Sequence, residues 1–484
     1  MTAAPSSLEL LHPDGFAGRV AVLGSGPGHR LVAPAGHGEE AVDLVLLAPT
    51  DTERRSVAWA TDAARMASGL AEDGIVLAVG PSHRLAAGLA EVGLMREVEL
   101  LHAPDVDRSR HLLPLRSAPA RAALRELIAP GRIKSAALAA ASLPGLGRLA
   151  PTSAVYRRPG SRPLLDWVGP LLSSGPGGVP SADSASGMPE ALLTSAWRAR
   201  GATTVRTVGG ASAGAVVKVG AQAGREAEAL RTMAAGAATE AVATPDLIGE
   251  TEIGRHRAVA QTALAGRPAA VALAGSPAAI PALLRTVAGW LVDWNAATVV
   301  RRPFGADDAE RLVLAPARAV APRLDDDGGE TWLAELERAC TAVEGTEVPF
   351  VSAHNDLTAA NLLLGADRVG VVDWEEAAPQ CLPLGDFAYA AADFAAAVDG
   401  YADRKAAYAT CFERDGELGA MTRELLGRAA KALGLEPPQA ELCLHVCWLR
   451  HAADEQAREP EPGDGPAPFL AILRRHAQRR GRTA

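Results

Sequence analysis

The sequence predicts a mixed protein, α/β over its first third and α+β beyond. Three observations carry this. Strand-like and helix-like segments alternate over residues 16–170. A Gly/Ser/Pro-rich run, SSGPGGVPSADSASGM at 173–188, reads as a linker. Beyond it, two short apolar runs, Asn361–Leu364 and Val369–Val372, flank a polar turn as a hairpin would, and largely helical sequence follows to residue 477.

Composition sets the outer bounds. The 484 residues are enough for two or three domains with sizeable cores. A net charge of −9 argues against a general nucleic-acid binder. Hydrophobic content is 48%, yet no run of about eighteen apolar residues is free of charge, so no membrane span is expected. Met1–Gly15 contains Glu9 and Asp14 and lacks a basic start, unlike a secretory signal. Five cysteines form an odd set with no CxxC pair, which fits a reducing cytoplasm. Cys443, Cys447 and His451 share a helical face, either as buried packing or as a metal site. Four lysines stand against 44 arginines, so a lysine inside an apolar run stands out.

In chain order, Arg19–Leu23 is a strand candidate running into Gly24-Ser25-Gly26-Pro27-Gly28. Glycines after a strand let backbone approach a nucleotide or nucleoside. Val42–Ala48 and Gly74–Val79 are further strands around a helix at Ser56–Leu70. Leu85–Glu91 is helical and Val98–Leu101 extended. The alternation predicts a Rossmann-like layer, placed at 1–172. Its order resembles the later half of a class I methyltransferase, through Val42–Leu46, the helix ending in Leu70-Ala71-Glu72-Asp73-Gly74, and Ile75–Val79. Only about fourteen residues separate Gly28 from Asp43, and no acidic residue sits where that family holds a ribose. The layer is therefore read as truncated, serving structure or acceptor recognition, with an S-adenosylmethionine site as the alternative. Ala118–Ala141 reads as a helix.

After the linker, Pro189–Arg200 reads as a helix and Thr203–Val208 as a strand. Gly209–Gly214 is a tight turn, Ala215–Val219 the return strand, and Arg225–Met233 a helix. Lys218 sits in Val216-Val217-Lys218-Val219, where a charge costs free energy unless partnered. His256–Thr262 is extended, and 263–268 turns. Ser276–Ala296 is a long helix, with Ser276 as N-cap and Ile280, Leu283, Leu284, Val287, Leu291 and Trp294 along one face. Arg323–Glu330 is an acidic loop, either a solvated turn or an attractor for a cationic acceptor. Thr331–Val343 is another amphipathic helix.

The polar ends of the hairpin carry the chemistry. Asp356 precedes Asn361 by five residues and Asp373 by seventeen, a spacing that a hairpin folds to one point. Phosphoryl transfer needs such a point: a carboxylate for the attacking hydroxyl, and an amide with a second carboxylate for magnesium on the phosphates.

Here the chain resembles a known family. HNDLTAANLLL and VGVVDWE are similar to the HGDxxxxN…IDW signature of aminoglycoside phosphotransferases and choline kinase-like enzymes, relatives of the protein kinases. The resemblance implies a bilobal kinase-like fold, with an N-lobe at 189–268 and a C-lobe at 269–484. It implies ATP and Mg2+ as cofactors and a small-molecule hydroxyl as acceptor. It makes Asp356 the base, Asn361 and Asp373 magnesium ligands, and His354 a loop-bracing residue. Lys218 would touch the ATP phosphates and pair with Glu226, while Glu228 points elsewhere. The turn would cover the nucleotide, with Gly210 among its small residues and Ser212 adding a hydroxyl. Residues 263–268 would be the hinge. Asn355 departs from the family's glycine, and Thr358-Ala359-Ala360 from its His-Pro-Gly.

Leu382–Asp386 resembles the family's G-x-P-x-x-D element, which makes Asp386 a helix cap and a brace for the loop. Trp374 would shield Asp373, and Glu375 would reach the substrate or complete an outer shell. Trp448, Arg450, Asp454 and Glu455 are candidates for an acceptor wall, against packing and surface readings. Two alternatives remain: a pseudokinase whose first domain recognises a partner or metabolite, and a two-activity enzyme that also methylates.

Overall fold

The computed structural model describes residues 9–12, 19–25, 41–103, 111–114, 117–120, 122, 152–173, 191–194, 203–207, 214–254, 256–324, 328–458 and 467–483. Two compact units result: Met1–Leu230 with Pro245–Leu264, and Arg231–Thr244 with Ala265–Ala484. Most of the 118–141 helix, glycines 26 and 28, and nearly all of the 173–188 linker lie outside the described residues.

In the first unit, β1 (Val20–Leu23), β2 (Val42–Leu47) and β3 (Leu70–Val79) run parallel. The helix Val57–Ser68 crosses from β2 to β3, and Ser56 opens it by accepting the Trp59 amide. Leu44, Leu46, Ile75 and Leu77 join one buried cluster, while Val45, Leu47, Val76 and Ala78 join another. Burial on both faces explains why these strands are apolar runs with little alternation. Gly24 ends β1 at φ +95°, where a Cβ would lie 2.3 Å from the Ala48 carbonyl oxygen, so the turn requires glycine.

The parallel run stops at β3. Among β4 (Met95–Ala103), β5 (His111–Pro114) and β6 (Thr152–Arg157), β6 inserts antiparallel between β3 and β4. A full Rossmann layer would continue in parallel; the described residues hold three such strands.

The sheet then continues through β7 (Ala191–Thr194), β8 (Thr203–Thr207) and β9 (Ala215–Gly220). β10 (Val242–Ala243) belongs to the second unit. β11 (Leu247–Ile253) and β12 (His256–Thr262) complete the order β1-β2-β3-β6-β4-β5-β7-β8-β9-β12-β11. Where a helix was expected over 189–200, residues 191–194 form a strand. The short run ALLT suits either period, and pairing with β5 and β8 on its two sides decides. One buried cluster joins Leu44, Leu46 and Leu77 to Val205, Val217 and Ala258. The first-third layer and the strands around Lys218 thus share a core.

In the second unit, β10 joins β13 (Arg267–Pro268), β16 (Leu362–Leu364) and β17 (Val369–Val371) in the order β10-β17-β16-β13. β14 (Val300–Pro303), β15 (Glu347–Ala353) and β18 (Ala378–Cys381) form a second sheet. The helix Ile280–Thr298 buries the expected stripe of Ile280, Leu283, Leu284, Val287, Leu291 and Trp294. Ser276 makes no side-chain cap, because a 3-10 turn at Pro277–Ala279 intervenes. The helix Gly328–Val343 follows, then Gly385–Val398, Arg404–Phe412, Glu417–Leu433, Pro437–Arg458 and Pro468–Thr483. Cys443 and Cys447 are buried, and His451 stacks on Tyr389 at 3.7 Å, an arrangement of helix packing. Among the described residues, no helix is long and apolar enough to cross a membrane.

Candidate active site

β15 delivers the chain into His354-Asn355-Asp356. One carboxylate holds this turn: Asp386 accepts the His354 amide through Oδ2 and the Asn355 amide through Oδ1, each at 2.7 Å. Asp386 therefore braces the loop as expected. It does not cap the helix Gly385–Val398; Leu384 occupies the N-cap position at φ +70°, and Asp386 lies in the first turn.

Asn355 has φ +66°. That left-handed region suits glycine, and among other residues asparagine tolerates it well. The departure from the glycine of the resembled signature thus keeps the backbone shape. The Asn355 side chain also donates to the Glu376 carbonyl at 3.0 Å.

His354 is fully buried. Its Nδ1 accepts the Asp356 amide at 3.3 Å, so Nε2 carries the proton and donates to the Val372 carbonyl at 3.1 Å. This tautomer ties the loop to the residue before Asp373. Trp374 packs edge-on against His354 at 5.0 Å and against Trp294 at 5.5 Å, supplying the apolar backing expected behind Asp373.

The hairpin β16–β17 pairs Leu362 with Val371 and Leu364 with Val369. The Val372 amide donates to the Asn361 carbonyl at 3.0 Å, which sets Asp373 one residue beyond. Asn361 uses both N–H bonds of its side-chain amide on Asp356: one reaches the backbone carbonyl and one reaches Oδ2, each at 2.9 Å. Its amide oxygen is presented away from that carboxylate. Asp373 adopts φ 70° and ψ 60°, a strained conformation of about 1–3 kcal/mol that tends to mark functional positions. One carboxylate oxygen of Asp373 and one of Glu375 lie within 4.8 Å of each other. An amide oxygen and carboxylates are the hard donors that magnesium takes, so the residues present fit such an ion.

In the first unit, Lys218 lies in mid-β9, paired with Thr204 of β8 and Val259 of β12. Its Nζ is 2.9 Å from Glu226 Oε2, with side-chain exposures of 10% and 0%. Glu226 lies in the helix Ala223–Ala229 and supplies the partner that the buried ammonium needs. Thr207 closes the base of the β8–β9 hairpin, its hydroxyl both donating to and accepting from the Ala215 backbone. Gly210 and Ser212 lie outside the described residues.

Residues 202–420 match the phosphotransferase enzyme family. All eight site residues read from the sequence fall inside that match. Two similar solved structures are a thermostable mutant of aminoglycoside phosphotransferase APH(4)-Ia in apo form and glucosamine kinase in complex with glucosamine, ADP and inorganic phosphate. The first is 17% identical, covers 60% of this chain and 94% of that one, and has a TM-score of 0.41. The second is 16% identical, covers 58% and 80%, and has a TM-score of 0.36. No curated protein matches the chain.

Beyond the residues that match the family, the four wall candidates divide. Trp448 is buried against Tyr408 and Phe412, and Glu455 accepts the Phe469 and Leu470 amides at the start of the helix Pro468–Thr483. Both serve packing. Arg450 donates to the Glu376 carbonyl at 3.4 Å and pairs with Asp454 at 3.8 Å. Sequence reasoning missed Asp393, which is 1% exposed and accepts the Ala359 amide at 2.8 Å. Its signal was present: a lone carboxylate inside the apolar helix YAAADFAAAV, which burial penalises unless it is partnered.

Proposed function

We propose that the chain is a small-molecule phosphotransferase that moves the γ-phosphate of ATP to a hydroxyl of an aminoglycoside, sugar or amino-alcohol type acceptor. The observation that carries this reading is the Asp356–Asn361 pair, built in a loop held by Asp386 and set in register with Asp373.

In this reading Asp356 orients the acceptor hydroxyl and takes its proton as the phosphoryl group arrives. The Asn361 bond at Oδ2 fixes the direction of the carboxylate. His354, with its Nε2–H donated to the Val372 carbonyl, braces the loop. Asn361 and Asp373 are the residues that hold magnesium, which supplies charge neutralisation at the phosphates. Lys218, oriented by Glu226, contributes its ammonium to ATP phosphates. The acceptor is a small molecule, and the reading calls for no nucleic acid.

The test is a screen of hydroxyl-bearing metabolites with ATP and Mg2+, in which product mass is measured. A product heavier by one phosphoryl group is the expected result. MgATP binding with no phosphate transfer to any acceptor would instead establish a pseudokinase.

A further inference from the structure

We propose that Asp393 is a second positioning residue for the loop carrying Asp356 and Asn361. With Asp386, it clamps that loop at two points to one face of the helix Gly385–Val398. The functional part of this inference rests on the phosphotransferase reading; the clamp itself does not.

The contacts are specific. Asp393 Oδ2 accepts the Ala359 amide at 2.8 Å and the Tyr401 hydroxyl at 3.2 Å, and Oδ1 accepts Arg404 at 2.9 Å. Ala359 in turn accepts the Ala270 amide at 2.9 Å. The Asp393 side chain is fully buried and the Arg404 side chain is 24% exposed, so the carboxylate has a countercharge where water does not reach it. Burial is the largest single influence on Arg404 and lowers its basicity, but the charge and hydrogen bond of Asp393 together with Tyr389 and Tyr401 more than offset it, so the guanidinium is held in its charged form. Burial and the same carboxylate keep the Tyr401 hydroxyl protonated, and therefore a donor.

Spacing makes the helix a ruler. Seven residues separate Asp386 from Asp393, about two turns, so both project from one face about 10 Å apart. The clamped amides belong to Asn355 and Ala359, four residues apart, which span about 13 Å at full extension. Little slack remains once the Thr358 amide has turned back to the Asp356 carbonyl. Asp356 lies between the two clamps, and Asn361 follows the second by two residues. Releasing the Ala359 end frees Asn361 to drift from Asp356 while the His354 end stays held.

The experiment compares wild type with Asp393→Asn and Arg404→Gln by amide hydrogen exchange and by ADP formation from MgATP with an acceptor that the metabolite screen identifies. In Asp393→Asn, exchange at Ala359 should rise about tenfold or more, while the His354 and Asn355 amides held by Asp386 keep their protection. Turnover should fall about 100-fold, as misplacement of reacting groups does. The KM for ATP should stay within about threefold. Arg404→Gln leaves the carboxylate in place and should shift the same readings in the same direction by less, which covers the case where Asp393→Asn does not fold. Unchanged exchange at Ala359 overturns the clamp. Equal acceleration across 354–361 also overturns it, by making Asp393 a general stabiliser. A wild-type protein that phosphorylates no acceptor in the screen sinks the phosphotransferase reading, and the exchange result still judges the clamp.

Discussion

Asn361 gives both N–H bonds of its side-chain amide to Asp356, one to the backbone carbonyl and one to the carboxylate, each at 2.9 Å. The pair is therefore assembled by the fold itself. In the proposed reaction, a carboxylate preorganised in this way would need no rearrangement when the hydroxyl arrives.

Asp356→Asn keeps the shape and removes the proposed base. Turnover should fall about 10²- to 10⁴-fold, the usual contribution of a positioned base. MgATP affinity, measured by calorimetry, should stay near wild type, because Lys218, Asn361 and Asp373 remain. Undiminished turnover by this variant would remove Asp356 from the base role.

Lys218→Met strands the Glu226 carboxylate in the first unit, where its side chain has no exposure. Removing one member of a buried pair costs about 3–5 kcal/mol. Urea denaturation should show that loss. The double change Lys218→Met with Glu226→Gln should regain most of it without regaining nucleotide affinity. Full recovery of ATP binding in the double variant would contradict a phosphate-holding role for the lysine.

Asn355 separates backbone shape from side-chain bonding. Asn355→Ala forces a Cβ-bearing residue with no local hydrogen bond into φ +66°, and should cost about 1–2 kcal/mol. It also removes the bond to the Glu376 carbonyl. Asn355→Gly keeps the backbone easy and loses only the bonding, so it should be the milder change in thermal denaturation. The reverse order would show that the side-chain bond, not the φ angle, selects asparagine here.

Acid should act through Asp308. The Arg302 hydrogen bonds at this carboxylate hold its pKa below the ordinary value, against a smaller opposing effect of burial. A carboxyl depressed in the folded state contributes stability that is complete above its unfolded pKa, about 4, and is lost as pH falls through the lower folded value. Asp308→Asn should therefore be less stable than wild type at pH 7. The gap should close as pH drops below about 4. A gap that persists unchanged into acid would place the contribution of Asp308 outside its charge.

The candidate site residues could be singled out because their signals are local. The hairpin ends, the five- and seventeen-residue spacings, and a lysine in a valine run can all be read within about twenty residues. The Lys218–Glu226 pair follows the same logic, since a strand and the next helix place the two residues close in sequence. The helix expected over 189–200 failed where the signal was ambiguous, because a short segment such as Ala191–Thr194 takes its form from the strands beside it. The Asp393 carboxylate in an apolar run was legible, but its partner, the Ala359 amide 34 residues away, was not.

By itself, the sequence determined which side chains carry oxygen and charge and how far apart they stand along the chain. Those properties belong to residue type and local spacing. Tertiary structure alone decided that β6 enters between β3 and β4, that the sheet continues past the linker to β11, and that Asp386 and Asp393 grip one loop from one helix. These are pairings between distant segments. Burial and hydrogen-bond geometry, rather than any local preference, select them.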